Sequence, residues 1–421
     1  MLKLNSNNTF IPSDNPDLSR NYLVLLLHGM LGQTGFRLIN APTFMPAYLL
    51  LLSGSELLVG AALAGQHFMA ALSSIPTGNL VAHRERVKPM LFGVGLLMRL
   101  QVLGIVLAGL FFSNAITLVA TCIFLMLFGF FNGMQAVAFI YVMSKVIPVS
   151  VRGRLTGFRN LLAGLVSTFV AYFGGSYFIE NEVWGNGYAM TFLVAFMLTM
   201  FGLFVMLLLR EPQYTNMPEP SSLSGRVRGF PKLLREDPDF TWFLVARSLA
   251  ALAMAAVPFY ILYIGKQSQL SGSALGIITM SFILSQTISN FFWGFLADHR
   301  GNRLAFALAV MVWLMASIAL LVAPPQLWVF CIVYTGLGCG LAGFQIAGQN
   351  LVLEYGKKED IAMRIGLANS LNSFAFALGP LLGGILVTLT SYTTLFILSI
   401  GFKLCALLAT WLFVREPRHT H

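Results

Sequence analysis

The decapeptide GFLADHRGNR, residues 294–303, decides the fold because of what surrounds it. Its charged part holds one carboxylate, Asp298, and two arginines, whereas the flanking runs 273–297 and 304–323 contain no charged residue. A helix needs about 20 apolar residues to cross the hydrocarbon of a bilayer. The decapeptide is therefore expected to form a short polar turn between two membrane-spanning helices.

Apolar runs of that length recur along the chain. Hydrophobic residues make up 57% of its 421 positions and charged residues 10%, against about 25% charged residues in soluble proteins. The first run is too long for the apolar part of a signal peptide, so we expect it to be retained. The sequence predicts an all-α integral membrane protein with twelve transmembrane helices near residues 22–52, 56–81, 89–111, 115–143, 155–179, 188–209, 241–265, 273–297, 304–323, 327–353, 364–388 and 392–414.

The basic residues predict the orientation. Connections after even-numbered runs are rich in Arg and Lys, as at Arg84 and Arg86, whereas those after odd-numbered runs hold only Lys266. Positively charged connections stay in the cytoplasm. We therefore expect a multi-pass protein of the plasma (inner) membrane with both termini cytoplasmic. The same placement explains the net charge of +10 without nucleic acid as a partner.

Two pairs of matching segments predict an internal duplication. LREP at 209–212 returns as VREP at 414–417, and GNLVAHR at 78–84 returns as GFLADHR at 294–300. A polar, proline-containing stretch between the copies indicates a linker. The expected domains are a cytoplasmic tail 1–21, a six-helix bundle 22–209, a cytoplasmic linker 210–240 with a short helix near 230–235, a second six-helix bundle 241–414 and a cytoplasmic tail 415–421.

Residues 294–303 resemble the loop signature of the major facilitator superfamily, G-x-x-x-D-(R/K)-x-G-x-(R/K). The resemblance implies two pseudo-symmetric six-helix bundles that rock about a central cavity lined by helices 1, 4, 7 and 10. It also implies that charged loop residues latch one conformation and release in the other, while glycine lets neighbouring helices approach closely. The residues at such latch positions are Gly78, Arg84, Arg86, Arg152, Arg154, Gly294, Asp298, Arg300, Gly301 and Arg303.

The first copy of the motif lacks the acidic residue. Ala82 stands where the second copy has Asp298, and Glu85 does not restore the spacing. The latch is therefore expected to differ between the halves. For Arg152 and Arg154, which enter the fifth helix, positive charge that only orients the protein is an alternative to a latch role.

Arg37 is expected well inside the membrane, whereas no Asp or Glu falls near the middle of a predicted helix. It lies about 15 residues into the first run, roughly 22 Å at 1.5 Å per residue. Gln33, Arg37 and Asn40 share one helix face, and the resemblance turns helix 1 toward the substrate path. We expect Arg37 to contact an anionic substrate group; pairing with backbone carbonyls or polar side chains to fix packing is the alternative.

Further polar residues inside the runs are candidates for substrate binding. Ionisable groups at membrane depth indicate function, and amides three or four residues apart share a helix face, although hydrogen bonds between helices explain such pairs equally well. For Arg247, snorkelling to the interface is an alternative, and for His67 a packing role is an equal alternative to substrate binding or proton transfer. These candidates are His67, Gln135, Arg247, Gln286, Asn290, Gln345, Gln349, Asn369 and Asn372. Arg99 and Lys403 receive no interpretation, since their helices are peripheral in the family's fold.

The sequence favours a secondary active or facilitative transporter of a small organic solute, preferably an anion, working by alternating access. A coupling ion would be a second partner, the bilayer a third, and a monomer is expected. The alternatives are a multidrug-type exporter and a non-transporting receptor or assembly factor on the same scaffold. No catalytic motif is in register with the helices, and all four cysteines fall in apolar runs. We therefore expect no enzyme activity, cofactor or metal.

Overall fold

The computed structural model describes residues 16–82, 84–212, 230–231, 233–268, 270–355 and 361–416. Within these ranges twelve helices are long and apolar enough to cross a membrane, which confirms the predicted all-α membrane fold. We number them α1 (Pro16–Asn40), α2 (Glu56–Ala82), α3 (Lys88–Phe111), α4 (Asn114–Val146), α5 (Val149–Phe173), α6 (Gly187–Val205), α7 (Pro238–Leu252, continued as Val257–Gln267), α8 (Gly272–Arg300), α9 (Asn302–Val322), α10 (Leu327–Glu354), α11 (Ile361–Leu389) and α12 (Tyr392–Leu412).

Proline breaks two of the predicted runs. The run 22–52 consists of two helices, because α1 ends at Asn40 and a short helix, Phe44–Ser53, follows it. Pro42 lies in the break, where it cannot donate a backbone hydrogen bond and would clash with the carbonyl one turn earlier. In α7 a 3-10 turn, Ala253–Ala256, likewise comes just before a proline.

The two halves, α1–α6 and α7–α12, meet where α2 packs on α11 and α5 on α8. A Cβ built on Gly60 would lie 2.3 Å from the carbonyl oxygen of Pro380, and one on Gly175 would lie 2.3 Å from Cα of Gly276. Small residues allow backbones to approach this closely. Both contacts lie toward the end of the molecule that holds Glu56, which we call the acidic end. The opposite end, with the Arg- and Lys-rich connections, is the basic end.

The repeated Arg-Glu-Pro segments have a structural role. Glu211, after α6, accepts hydrogen bonds from the backbone nitrogens of Val87 (3.0 Å) and Lys88 (2.8 Å) at the start of α3. Glu416, after α12, accepts one from the backbone nitrogen of Arg303 (2.9 Å) at the start of α9. A carboxylate there satisfies amides that have no partner within their own helix. In each half, the last helix therefore caps the third.

The third helix of each half caps the last helix in return. Lys88 Nζ donates to the carbonyl oxygen of Leu207 at 2.6 Å. Arg303 Nε donates to Thr410 O at 3.2 Å and its Nη2 to Trp411 O at 2.9 Å. These cations satisfy carbonyls at a helix C-terminus, where positive charge is stabilising.

The predicted short helix of the linker is present in part, since residues 230–231 and 233–236 are helical. Asp237 then caps α7 by accepting a hydrogen bond from the backbone nitrogen of Phe240 at 3.0 Å. Arg364 Nη1 of α11 donates to the same carboxylate at 2.6 Å. The other linker residues, 213–229 and 232, and residues 1–15 and 417–421 of the predicted tails lie outside the described residues.

Candidate functional site

A cavity of about 850 Å³ lies between the two halves and is lined by residues of both. Its walls come from α1, α2, α4, α5, α7, α8, α10 and α11, together with the break after α1. Eight of the residues that the sequence singled out line it, namely Gln33, Arg37, Asn40, His67, Gln286, Asn290, Gln345 and Gln349. The helix-face argument thus placed most candidates on one continuous surface.

The lining is polar but almost uncharged. Among the described residues that form it, Arg37 is the single residue with a formal positive charge, and none is Asp or Glu. Amides dominate the remaining polar positions, and the apolar part includes Phe36, Phe282, Phe291 and Phe376. A ligand in this cavity would meet one guanidinium, many neutral hydrogen-bonding groups and several aromatic rings.

Arg37 reaches across the cavity to the second half. Its Nη1 donates to Thr287 Oγ1 of α8 at 3.0 Å, and its Nη2 donates to the carbonyl oxygen of Asn160 in α5 at 3.2 Å. The Thr287 hydroxyl itself donates to Ile283 O at 2.7 Å. A guanidinium has five N–H donors, so two neutral acceptors leave most of them for a ligand. A cation at membrane depth without a carboxylate is costly.

The neighbouring polar groups form a second, neutral cluster. Gln66 Nε2 donates to Asn40 Oδ1 at 2.9 Å, and Asn40 Nδ2 donates to Phe36 O at 2.8 Å. The His67 ring lies 5.7 Å from that of Phe376, so it faces α11 of the other half. His67 is thus part of the contact between the halves as well as of the cavity wall.

Hydrogen bonds and an ion pair close the cavity at the acidic end. Glu56 Oε1 pairs with Lys266 Nζ at 2.6 Å and accepts a hydrogen bond from the Tyr392 hydroxyl at 3.0 Å. Deeper, the buried hydroxyls of Thr43 and Thr279 are 2.8 Å apart. Each of these contacts joins the first half to the second.

The halves are apart at the basic end. Among the described residues, a Cβ built on Gly157 or Gly366 would meet no atom within 4 Å, and the same holds for Gly78 and Gly294 of the motif copies. The close helix approach expected at Gly294 is therefore absent in this conformation, because close contact between the halves is made at the acidic end instead. The structure describes a conformation closed at one end and open toward the other.

Four of the predicted candidates do not line the cavity. Gln135 Oε1 accepts a hydrogen bond from Arg99 at 3.4 Å, inside the first half. Arg247 is only 5% exposed, so it does not snorkel to the surface, and its Nε has no hydrogen-bond partner among the described residues. Asn369 is exposed, and Asn372 is half-buried with an Oδ1 that none of the described residues hydrogen-bonds.

Arg99 and Lys403 connect helices within each half. Arg99 Nε donates to Thr199 O of α6 at 2.7 Å. Lys403 Nζ, fully buried, donates to Ser317 Oγ of α9 at 2.6 Å and to Ser399 Oγ at 2.9 Å. Each cation links the third and last helices of its half, which accounts for the depth of both residues.

Sequence reasoning missed several polar side chains of this region, including that of Thr287. Gln66, Asn132 and Asn160 line the cavity, and each would have been found by collecting single mid-helix amides instead of same-face pairs. Arg159 is 4% exposed, with its guanidinium carbon 4.5 Å from the centroid of the Phe139 ring. A cation–π contact of this kind has no sequence signature.

The remaining motif residues lie at the basic end. Arg152 Nη2 donates to Ile147 O at 2.9 Å and to Ser144 O at 3.2 Å, so it satisfies carbonyls at the end of α4. Gly301, with φ of +93°, forms the turn between α8 and α9. The side chains of Arg84, Arg86, Arg154, Asp298 and Arg300 are exposed.

Comparison with known proteins agrees with this architecture. Residues 243–421 match the sequence model of the Major Facilitator Superfamily. The multidrug resistance protein MdtG of Salmonella choleraesuis (strain SC-B67) is 27% identical over 181 residues, which are 42% of this chain and 44% of that protein. MdtG of Enterobacter lignolyticus (strain SCF1) is 28% identical over 181 residues, 42% of each chain. The alignment therefore spans less than half the length of these relatives.

Solved structures match over nearly the whole chain. The nucleoside transporter NupG superposes with a TM-score of 0.70 at 12% identity, over 95% of this chain and 99% of its own. A D-xylose–proton symporter superposes with a TM-score of 0.70 at 14% identity, over 96% and 99%. A bacterial homologue of the human lysosomal transporter Spinster, in an inward-facing and unoccupied conformation, gives 0.63 at 14% identity, over 95% of each chain. At such identities the likeness concerns the fold.

Proposed function

We propose that this chain, a member of the major facilitator superfamily, is a secondary transporter that carries a small organic anion by alternating access. The bundles 22–209 and 241–414 would rock about the cavity while the linker 210–240 keeps them together. Such motion exposes a midplane site first to one side of the membrane and then to the other.

The position of Arg37 supports an anionic substrate. It is the single formal charge of the described cavity lining, and that lining contains no carboxylate. A planar guanidinium with spare donors binds carboxylate or phosphate groups through paired hydrogen bonds. An organic cation would be repelled by Arg37 and would find no counter-charge among these residues. The amides around Arg37 suit hydroxyl or carbonyl groups on the rest of the substrate.

The contacts of Arg37 suggest how binding is coupled to movement. In the conformation described, Thr287 of the second half holds Arg37 of the first. A substrate anion would replace Thr287 as the acceptor and so remove one bond between the halves. Release of the contacts at the acidic end would follow, and the cavity would open there.

The basic residues support a cytoplasmic location for the open end. The basic end carries exposed arginines at positions 84, 86, 154 and 300. Cytoplasmic connections carry an excess of Arg and Lys. On this orientation both termini are cytoplasmic, the protein resides in the plasma (inner) membrane, and the conformation is inward-open.

A counterflow screen with purified protein in vesicles tests the proposal. Each candidate would be an organic anion matched with a neutral and a cationic analogue of similar size. We expect the anion to exchange fastest, Arg37→Gln to lower its exchange by at least about tenfold, and Arg235→Gln, which removes an exposed arginine of the linker outside the cavity, to have no effect. Equal exchange of the anion by wild type and Arg37→Gln would refute the site assignment.

A multidrug-type exporter is the second candidate. The curated relatives are named as multidrug resistance proteins, and four phenylalanine rings line the cavity. Aromatic and apolar walls accept varied amphiphilic solutes. Export of an uncharged or cationic dye from vesicles at a rate independent of Arg37 would favour this function over anion transport.

A non-transporting receptor on the same scaffold predicts a different result. Such a protein would bind the anion at Arg37 but show no counterflow. The ion pair and the hydroxyl contacts between the halves at the acidic end would then stay closed with and without ligand.

A further inference from the structure

A second, smaller cleft of about 170 Å³ lies at the basic end, away from the central cavity. It lies between the end of α8, the start of α9 and the end of α12, and is lined by Arg300, Arg303, Leu304, Ala307, Trp411 and Glu416. Two arginines and one carboxylate leave it with a net positive charge.

Hydrogen-bond donors in this cleft remain unused. Arg300 is exposed and has no hydrogen-bond partner among the described residues. Arg303 donates hydrogen bonds from Nε and Nη2 to carbonyl oxygens at the end of α12, so its Nη1 remains for a ligand. Trp411 is 55% exposed, and the guanidinium carbon of Arg303 lies 5.6 Å from its ring centroid. Guanidinium and indole N–H donors together suit the oxygens of a phosphate.

The carboxylate on the wall of the cleft is already engaged. Glu416 Oε2 accepts the hydrogen bond from the backbone nitrogen of Arg303, and Glu416 Oε1 is buried. Its charge is therefore directed at the start of α9, where it caps the helix. The side-chain donors of Arg300 and Arg303 remain for a ligand.

Aromatic residues place the cleft at the membrane–water interface. Trp411 is the penultimate residue of α12, and exposed Leu412 and Phe413 follow it. The Trp242 ring stacks on that of Phe413 with centroids 4.2 Å apart. Trp and other aromatic side chains concentrate at the headgroup level of a bilayer. From the cleft, Leu304 on α9 leads toward the hydrocarbon, where an acyl chain would lie.

The first half repeats the cations of this cleft but not its indole. Lys88 takes the place of Arg303, since it also donates to the end of the last helix of its half, and Arg84 aligns with Arg300 in the matching segments. The Arg-Glu-Pro repeat aligns buried Met206 with exposed Trp411. The indole at the wall of the cleft is therefore specific to the second half.

We propose that this cleft binds the phosphate headgroup of an anionic phospholipid from the leaflet at the basic end. Basic pockets between transmembrane helices on the cytoplasmic side bind anionic headgroups. Arg300 and Arg303 hold the phosphate, Trp411 fixes the headgroup depth, and one acyl chain follows α9. The lipid thereby joins the end of α12 to the start of α9.

Native mass spectrometry of the detergent-purified chain, titrated with dioleoyl phosphatidylglycerol or dioleoyl phosphatidylcholine, tests this site. We expect one phosphatidylglycerol to bind more tightly than phosphatidylcholine. Arg300→Gln should lower the affinity for phosphatidylglycerol by about fivefold, the factor expected for one interfacial arginine. Trp411→Leu should lower this affinity as well. The matched control is Arg415→Gln, since Arg415 is 76% exposed at the same end of α12 but outside the cleft.

Two outcomes would overturn the proposal. One is phosphatidylglycerol binding that Arg300→Gln and Arg415→Gln weaken equally or not at all, which would indicate general surface charge. The other is displacement of phosphatidylglycerol by millimolar inorganic phosphate, which would indicate a site for a free anion. Unchanged binding in phosphate, together with the specific effect of Arg300→Gln, supports the lipid site.

Discussion

Arg37 and Thr287 lie in opposite halves and are joined by a hydrogen bond of 3.0 Å from Nη1 to Oγ1. The residue expected to bind the substrate is therefore also a residue that holds the halves together. Binding and conformational change can be coupled at this one contact, because a ligand anion and the Thr287 hydroxyl compete for the same donors.

Thr287→Val is expected to raise the affinity for the anion. Without the hydroxyl, the anion no longer has to displace a hydrogen bond between Arg37 and the second half. We expect roughly tenfold tighter binding, which corresponds to about 1.4 kcal/mol. Isothermal titration calorimetry measures this affinity. Thr279→Val is the matched control, since it removes another buried hydroxyl contact between the halves without touching Arg37. Equal affinities in the two variants would show that Thr287 does not compete with the anion.

Glu56→Gln is expected to favour opening at the acidic end. The variant loses the ion pair with Lys266, whose side chain is 57% exposed, so the effect should be at most about 1 kcal/mol, or fivefold in population. The labelling rate of a cysteine placed at Met254, in the cavity wall, by an impermeant maleimide added on that side would report it. Glu182→Gln, an exposed carboxylate on the same side, should leave the rate unchanged. An unchanged labelling rate in Glu56→Gln would mean that the ion pair does not keep the acidic end closed.

Gly175→Ala should block complete closure of the acidic end. Its Cβ would lie 2.3 Å from Cα of Gly276, and overpacking of this kind costs about 1–3 kcal/mol. We expect counterflow to fall by about tenfold while the protein stays folded. Gly401→Ala in α12 is the control, since its Cβ would meet no described atom within 4 Å and it lies outside the cavity lining. Equal transport by the two variants would contradict the assigned contact.

Glu211→Gln should destabilise the fold much more than Glu416→Gln. Glu211 pairs with Lys145 at 3.3 Å, with side chains 2% and 6% exposed, and breaking a buried pair costs about 3–5 kcal/mol. Glu416 caps a helix in the same way, but its Oε1 has no hydrogen-bond partner in the described part of the chain, so about 1 kcal/mol is expected. Thermal unfolding in detergent measures both. A larger loss of stability in Glu416→Gln than in Glu211→Gln would contradict the difference assigned to the two caps.

The sequence predicted the twelve spans and much of the cavity wall, because both follow from local patterns. Apolar length determines a span, and helical spacing puts Gln33, Arg37 and Asn40 on one face. The Arg-Glu-Pro repeat predicted a duplication. Its role as a cap depends on contacts between helices far apart in sequence, and no local pattern encodes these.

The rest of the site depends on tertiary packing. Arg247, like Arg37, is an arginine inside an apolar run, yet it is buried outside the cavity. Asn160 lines the cavity and its backbone carbonyl accepts a hydrogen bond from Arg37, a role that sequence does not reveal. The sequence did not predict the break at Pro42, because the residues on both sides of it are apolar and form one continuous run.

Thiol labelling of both ends of the cavity, with and without the transported anion, tests the central claim most directly. Single cysteines at Met254 and Gly157 in a background free of native cysteines would be labelled by impermeant maleimide from each side. In the parent background with Arg37 intact, we predict that the anion raises labelling from the acidic end and lowers it from the basic end, and that Arg37→Gln abolishes this response. An unchanged labelling pattern in that background, or an equal response in Arg37→Gln, would contradict alternating access governed by Arg37.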